Sequence, residues 1–285
     1  MKKLSFVYVV LAAVMWGVIG IFTRVLAVAG LTSVQTAGIR SILSAIIISL
    51  FVFFKDKSLF KISIKDIWMF VGTGVCSLTF FNLCYFSAIN ILELSLASVL
   101  LYTAPCFVMI MSAFVFKEKI TLNKILAFIF AFIGCALICG LNGSFNLKGI
   151  VLGLLSGFGY ALYSIFARIA LEKYNTYTIT LYTFAFSSLA LLPFCKAGEL
   201  CMLALDISVL IWMLLLAVVS TVLPYILYTE GLKNISATKA SIIAFIEPIT
   251  ATVTGALVFG EPITLVIIVG MLLVLTSIIK ISANN

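Results

Sequence analysis

The 285-residue chain contains no histidine. Without imidazole there is no Ser-His-Asp or Cys-His catalytic unit and no histidine-bound metal. Charge is also scarce. Asp, Glu, Lys and Arg together make up 10% of the residues, against about 25% in an ordinary globular chain. The seven cysteines form no CxxC pair, and five of them sit inside apolar runs. That is how small buried hydrophobes are used, and it differs from a zinc or disulfide framework. Cys195 and Cys201 share one connection, which leaves a bridge between them open. No GxxxxGK[ST] phosphate loop is present, so this chain alone does not drive transport with ATP. No metal site and no cofactor is expected.

What is present is apolar, at 64% of the chain. A soluble fold cannot hide that much apolar surface, so an integral membrane protein in contact with lipid is expected. A membrane helix needs about 20 apolar residues. Ten such segments are predicted, over residues 5–27, 33–54, 66–89, 93–115, 122–141, 147–170, 176–194, 207–231, 236–259 and 263–283. The connections are too short for a separate soluble domain. Barrel strands would alternate apolar and polar residues, whereas stretches such as 125–138 are continuously apolar. Met1-Lys2-Lys3 and the following apolar run have some features of a signal peptide. The run is too long for one, and the segment is expected to be retained.

Basic residues fall unevenly across these spans. If the N-terminus is cytoplasmic, fourteen of the eighteen Lys and Arg residues lie at cytoplasmic ends. By the positive-inside rule both termini are then cytoplasmic, and a bacterial inner membrane is the expected location. The net charge of +8 therefore reads as topology. A nucleic-acid partner would need a concentrated basic face, which is absent.

The chain also repeats itself. Residues 97–121 align with 240–264 at an offset of 143, with nine identities in 25 positions, from Ala97/Ala240 and Ser98/Ser241 through Pro105/Pro248 to Glu118/Glu261 and Thr121/Thr264. Tyr85 matches Tyr228 at the same offset, and at 144 Phe22 and Arg24 match Phe166 and Arg168 while Trp16 faces Tyr160. The expected fold is all-α, with ten transmembrane helices in two five-helix repeats, residues 1–142 and 143–285. An odd number of spans per repeat turns the second copy upside down relative to the first. Inverted repeats are a recurrent architecture of secondary transporters.

The paired Ala-Ser-(Val/Ile)…Pro…Val-Phe-x-Glu-x-Ile-Thr pattern, with Glu247-Pro248 and Gly38-Ile39-Arg40, resembles the EamA family of the drug/metabolite transporter superfamily over essentially the whole chain. The resemblance implies an export or uptake carrier for amino acids or other small metabolites. It also implies a central cavity formed by spans 1–4 and 6–9, with spans 5 and 10 peripheral.

Several intramembrane residues are candidates for that cavity. Glu247 lies near the middle of its span, where a carboxylate costs about 2.5–3.5 kcal/mol unless it meets water or a partner. It is a candidate for proton coupling, for holding a cationic group of the substrate, or for a structural hydrogen bond near Pro248. Arg40 could bind a substrate carboxylate or reach outward to the interface. Same-face spacing groups Asn82 with Tyr85, Ser98 with Tyr102, Ser156 with Tyr160 and Tyr163, and Thr221 with Tyr225 and Tyr228. Trp16 and Ser241 complete the expected lining. Pro105 and Pro248 are expected helix breaks. Glu118 and Glu261 read as boundary residues, with Thr121 and Thr264 as the following N-caps. Gly149, Gly153 and Gly157 form a small-residue packing face. The leading function is a secondary carrier, an exporter in the sense the resemblance implies, for small polar metabolites and amino acids first. Its partners are then a small-molecule substrate, membrane lipid and, if Glu247 couples, protons. Efflux of lipophilic cations and a non-transporting membrane sensor are the alternatives.

Overall fold

The computed structural model describes residues 2–140 and 146–283. Ten helical spans are long and apolar enough to cross a membrane: α1 Lys2–Val28, α2 Ser33–Lys55, α3 Ile64–Ile89, α4 Leu94–Val115, α5 Leu122–Cys139, α6 Leu147–Ala170, α7 Thr176–Phe194, α8 Ile207–Leu232, α9 Ala237–Phe259 and α10 Leu265–Ser282. Each agrees with its expected segment to within a few residues. Because the number of spans is even, the start of α1 and the end of α10 share one face of the bundle, here called the termini face. The other is the far face. The expected division at residues 142 and 143 lies outside the described residues.

The connections define where helices start. Thr32 caps α2 with a reciprocal box: its hydroxyl accepts from the Gln35 amide, and the Gln35 side chain accepts from the Thr32 amide. Thr121 and Thr264 accept from the amides of Lys124 and Ile267. Both were expected as N-caps, and each uses its side-chain oxygen to satisfy an amide with no intrahelical partner.

Several spans are interrupted. The helix of α4 runs Leu94–Leu101 and resumes at Ala104–Val115, and α9 runs Ala237–Ile243 and resumes at Ile246–Phe259. The breaks therefore fall just before Pro105 and Pro248 rather than at them. Each proline sits in the first turn of a half-helix, where its missing N–H breaks no intrahelical bond. In α3 and α8 the helix widens into π-helical turns over Gly72–Thr79 and Val218–Val222. Within them Thr79 and Thr221 donate to carbonyls five residues back, Gly74 at 3.1 Å and Leu216 at 2.9 Å.

Packing sorts the spans into a centre and a periphery. α1 packs on α8 and α9, α3 on α6, and α2 on α7 and α8, while α5 and α10 pair mainly with each other. That last contact is reciprocal. A Cβ at Gly134 would lie 2.5 Å from the carbonyl oxygen of Gly270, and one at Gly270 would lie 2.6 Å from that of Gly134. Two turns away, Ser277 donates to the carbonyl of Ala127 at 2.5 Å. At the repeat offset Gly134 corresponds to Ser277 and Ala127 to Gly270, so each pair of equivalent residues contacts the other pair. The glycine stripe on α6 packs as expected: a side chain at Gly157 would meet the Leu100 carbonyl at 2.9 Å.

Candidate functional site

The interrupted helices and the aromatic faces meet at a cavity of about 330 Å³ in the middle of the bundle. Nine expected residues line it: Trp16, Arg40, Asn82, Tyr85, Ser98, Tyr102, Tyr160, Tyr225 and Glu247. Its wall continues through Thr23, Ala27 and Leu31 to Ser33 and Leu94. Those last residues lie at the connections α1–α2 and α3–α4, and Ser33 and Leu94 are exposed. The cavity thus reaches the far face.

Glu247 lies in the first turn of the second half of α9. At the break before it the backbone tightens, with the amides of Phe245 and Glu247 donating to carbonyls three residues back, Ile242 at 3.2 Å and Ala244 at 2.9 Å. The Tyr160 hydroxyl donates to Glu247 Oε2 at 3.5 Å, a long contact. Arg40 is only 9% exposed, so it does not reach out to the interface. It lines the cavity, its Nε has no hydrogen-bond partner, and none of the ion pairs among the described residues involves it or Glu247. A buried guanidinium and a half-buried carboxyl therefore share one cavity without closing on each other.

Neutral polar groups line the remaining wall. The Asn82 side-chain amide donates to the Leu78 carbonyl at 2.6 Å, which supplies the partner this residue needs within the bilayer. The hydroxyls of Tyr85 and Ser98 lie 3.0 Å apart and link α3 to α4. Trp16 packs between Tyr160, Tyr225 and Tyr228, with ring centroids 6.3, 5.3 and 5.3 Å away.

Three expected residues lie elsewhere. Tyr163 and Tyr228 line a second cavity of about 10 Å³ that shares Trp16, Phe81, Tyr160 and Tyr225 with the first. There Tyr163 and Thr229 are joined by hydroxyls 2.6 Å apart, and Ser164 and Tyr228 by hydroxyls 2.8 Å apart. Ser241 lines neither cavity, and its hydroxyl donates to the Thr238 carbonyl at 2.9 Å. Thr36 and Phe81 were not anticipated, although both line the main cavity. They stand four residues before Arg40 and Tyr85, and that same-face spacing was the available signal. The thiols of Cys195 and Cys201 are both free.

Glu118 and Glu261 do more than mark helix ends. Arg24 donates to Glu261 at 2.5 Å, and Arg168 pairs with Glu118. The guanidinium carbons also stand over equivalent rings, Arg24 over Phe259 at 4.3 Å and Arg168 over Phe116 at 4.4 Å.

The sequence pattern of the EamA-like transporter family matches residues 3–140 and again 147–283. The chain belongs to this family. It is accordingly an integral membrane protein and a transporter. An uncharacterized transporter of Archaeoglobus fulgidus is 32% identical over 168 residues, a match that spans 59% of each chain. The uncharacterized inner membrane transporter YicL of Salmonella typhimurium is 26% identical over 97% of this chain and 94% of its own length. An uncharacterized transporter of Clostridium kluyveri is 27% identical over 100% of this chain and 95% of its own. A solved crystal structure superposes with a TM-score of 0.81 at 12% identity, covering 99% of this chain and 98% of the other, and so shares its fold.

Proposed function

We propose that this EamA-like transporter is a secondary carrier that exports small polar metabolites, amino acids foremost, by alternating access between two inverted halves. The observation that carries this reading is the pair of opposite charges inside the bundle, Arg40 and Glu247, which line one cavity without forming an ion pair. A buried charge without a counter-ion is costly. A zwitterion satisfies both residues together, with its carboxylate at the Arg40 fork and its ammonium at Glu247. The surrounding rings of Trp16, Phe81, Tyr160 and Tyr225 suit an apolar substrate portion. Export follows the family resemblance. The double family match and the reciprocal contacts of α5 and α10 support two inverted halves, with the boundary near residues 142 and 143. The lysine-rich connections support cytoplasmic termini in a bacterial inner membrane. Arg40 in the cavity wall weighs against lipophilic cations as substrate, since it would repel them.

The test is transport of an amino-acid panel in proteoliposomes, with and without a pH gradient. Wild type, Arg40→Gln and Glu247→Gln are compared, together with amine analogues that lack the carboxylate. Amino-acid transport falls at least tenfold in both variants, and Arg40→Gln retains activity toward the amines. Protons are the coupling ion if the gradient drives wild type and not Glu247→Gln. Equal transport of amines and amino acids by wild type rejects the zwitterion reading.

A further inference from the structure

The two ends of the bundle carry equivalent residues in different arrangements. At the termini face Glu118 gathers Arg168 from α6, Lys124 at 3.3 Å and the hydroxyl of Thr238 at 2.9 Å. Thr238 opens α9, so this hydrogen bond ties the end of α4 to the start of α9. At the far face Glu261 holds Arg24. The residue equivalent to Thr238 is Ser95, at the start of α4, and it too carries a hydroxyl. Yet no hydrogen bond among the described residues joins Ser95 to Glu261. The helix packing differs in the same way. The second half of α4 packs on the first half of α9, and no comparable packing joins the first half of α4 to the second half of α9. The cavity reaches the far face at the start of α4, where Leu94 forms part of its wall.

We infer that Glu118–Thr238 and Glu261–Ser95 are the two positions of one alternating latch: the first closes the termini face now, and it breaks as the second forms when the transporter turns over. This inference rests on the alternating-access reading above. The arginines remain on their glutamates in both positions and hold each carboxylate ready for the hydroxyl of the incoming half-helix. Repeat symmetry then makes the far-face contact the image of the one already formed. The latch is unequal. The position equivalent to Lys124 is Ile267, so Glu118 has a second cation and Glu261 has none. The resting state is therefore biased toward a closed termini face.

Cysteine accessibility tests the latch in a variant freed of its native cysteines. Ser164→Cys reports the termini side, because Ser164 lines the small cavity one turn from Arg168. Thr23→Cys reports the far side from the main cavity wall. Impermeant maleimide is applied from either side of oriented vesicles, with and without a transported amino acid. Thr238→Val keeps the shape of the side chain and removes the donor. It raises labelling at position 164 and lowers it at 23 by about two- to tenfold, the range expected for one hydrogen bond. Ser95→Ala moves both rates the opposite way. If substrate shifts the two reporters reciprocally in the parent and neither variant biases them, the latch is wrong and alternating access stands. If the reporters never shift reciprocally, alternating access fails and the latch falls with it. Should Thr238→Val fold poorly, Thr238→Ser retains the donor and is expected to restore parental labelling. If Thr238→Ser and Thr238→Val then give the same labelling, the hydrogen bond has no role in closing the face and the latch is overturned.

Discussion

Lys117 and Gly260 stand at equivalent positions in the two halves, and both have left-handed backbone, with φ of 53° and 69°. The turn they make brings the next residue back beneath the helix end. The amides of Glu118 and Glu261 then donate to the carbonyls of Ser112 at 3.2 Å and Gly255 at 3.3 Å. This motif satisfies carbonyls left open at a helix C-terminus, and here it also aims each glutamate at its arginine. Glycine adopts this backbone freely, and lysine does so at a cost. Lys117→Gly is expected to stabilise the protein by about 0.5–1 kcal/mol, and Gly260→Ala to destabilise it by a similar amount. Thermal unfolding in detergent measures both, and a fall in melting temperature for Lys117→Gly would contradict the argument.

The pairing of α5 with α10 depends on the absence of a side chain at Gly134. A leucine there must displace the backbone of α10, because its Cβ alone would lie 2.5 Å from the Gly270 carbonyl oxygen. Gly134→Leu should cost about 1–3 kcal/mol or more, the range for overpacking. A Cβ at Gly20 meets nothing within 4 Å, so Gly20→Ala is the control and leaves the melting temperature unchanged or slightly higher.

Glu118 gives a pH-dependent stability that can be read separately from transport. Burial pushes its carboxyl up, but Arg168, Thr238 and Lys124 together hold it below the usual carboxylate range. The folded protein therefore binds this proton less readily than the unfolded chain. The stabilisation is fully present above the unfolded value and is lost as pH falls through the lowered folded value. The difference in melting temperature between wild type and Glu118→Gln should be largest near neutral pH and shrink as the medium becomes more acidic than an ordinary glutamate's titration range. A constant difference across that range would remove the carboxylate from the explanation.

Tyr160→Phe removes only the hydroxyl that reaches Glu247 at 3.5 Å. A hydrogen bond that long contributes little. Transport should fall by no more than about fivefold, corresponding to about 1 kcal/mol or less, whereas Glu247→Gln is expected to lose at least tenfold. Initial rates in proteoliposomes separate the two, and a Tyr160→Phe loss as large as that of Glu247→Gln would mean the hydroxyl does more than brace the carboxyl.

All seven cysteines are free thiols. Denaturation without reductant should therefore release seven titratable thiols. In the native protein Cys201, which is exposed, reacts with maleimide ahead of Cys195. Cys195 is buried and its thiol donates to the Leu191 carbonyl at 3.0 Å. Mass spectrometry of the alkylated peptides gives the order, and a reductant-dependent rise in thiol count would reveal a bridge.

Hydropathy, helical period and repetition are local properties, and they were legible without coordinates. They placed the ten spans, the N-caps at Thr121 and Thr264, and the aromatic faces of α3, α4, α6 and α8. They could not say which way a side chain turns once helices have packed. Arg40 had two available destinations, and only the packing of α2 put it into the cavity rather than at the interface. Ser241 shares a repeat position with Ser98, and both hydroxyls bond back to a carbonyl within their own helix, yet only Ser98 lines the cavity. The helix breaks fall before the prolines, since a proline is tolerated in a first turn and the break is set by what the preceding turn packs against. Arg24 and Glu261 are 237 residues apart, and no local pattern joins residues at that distance. The sequence by itself therefore determined the class, the spans and the family. The tertiary structure decided which charges face each other and which face of the bundle is open, because those depend on contacts between helices rather than on order along the chain.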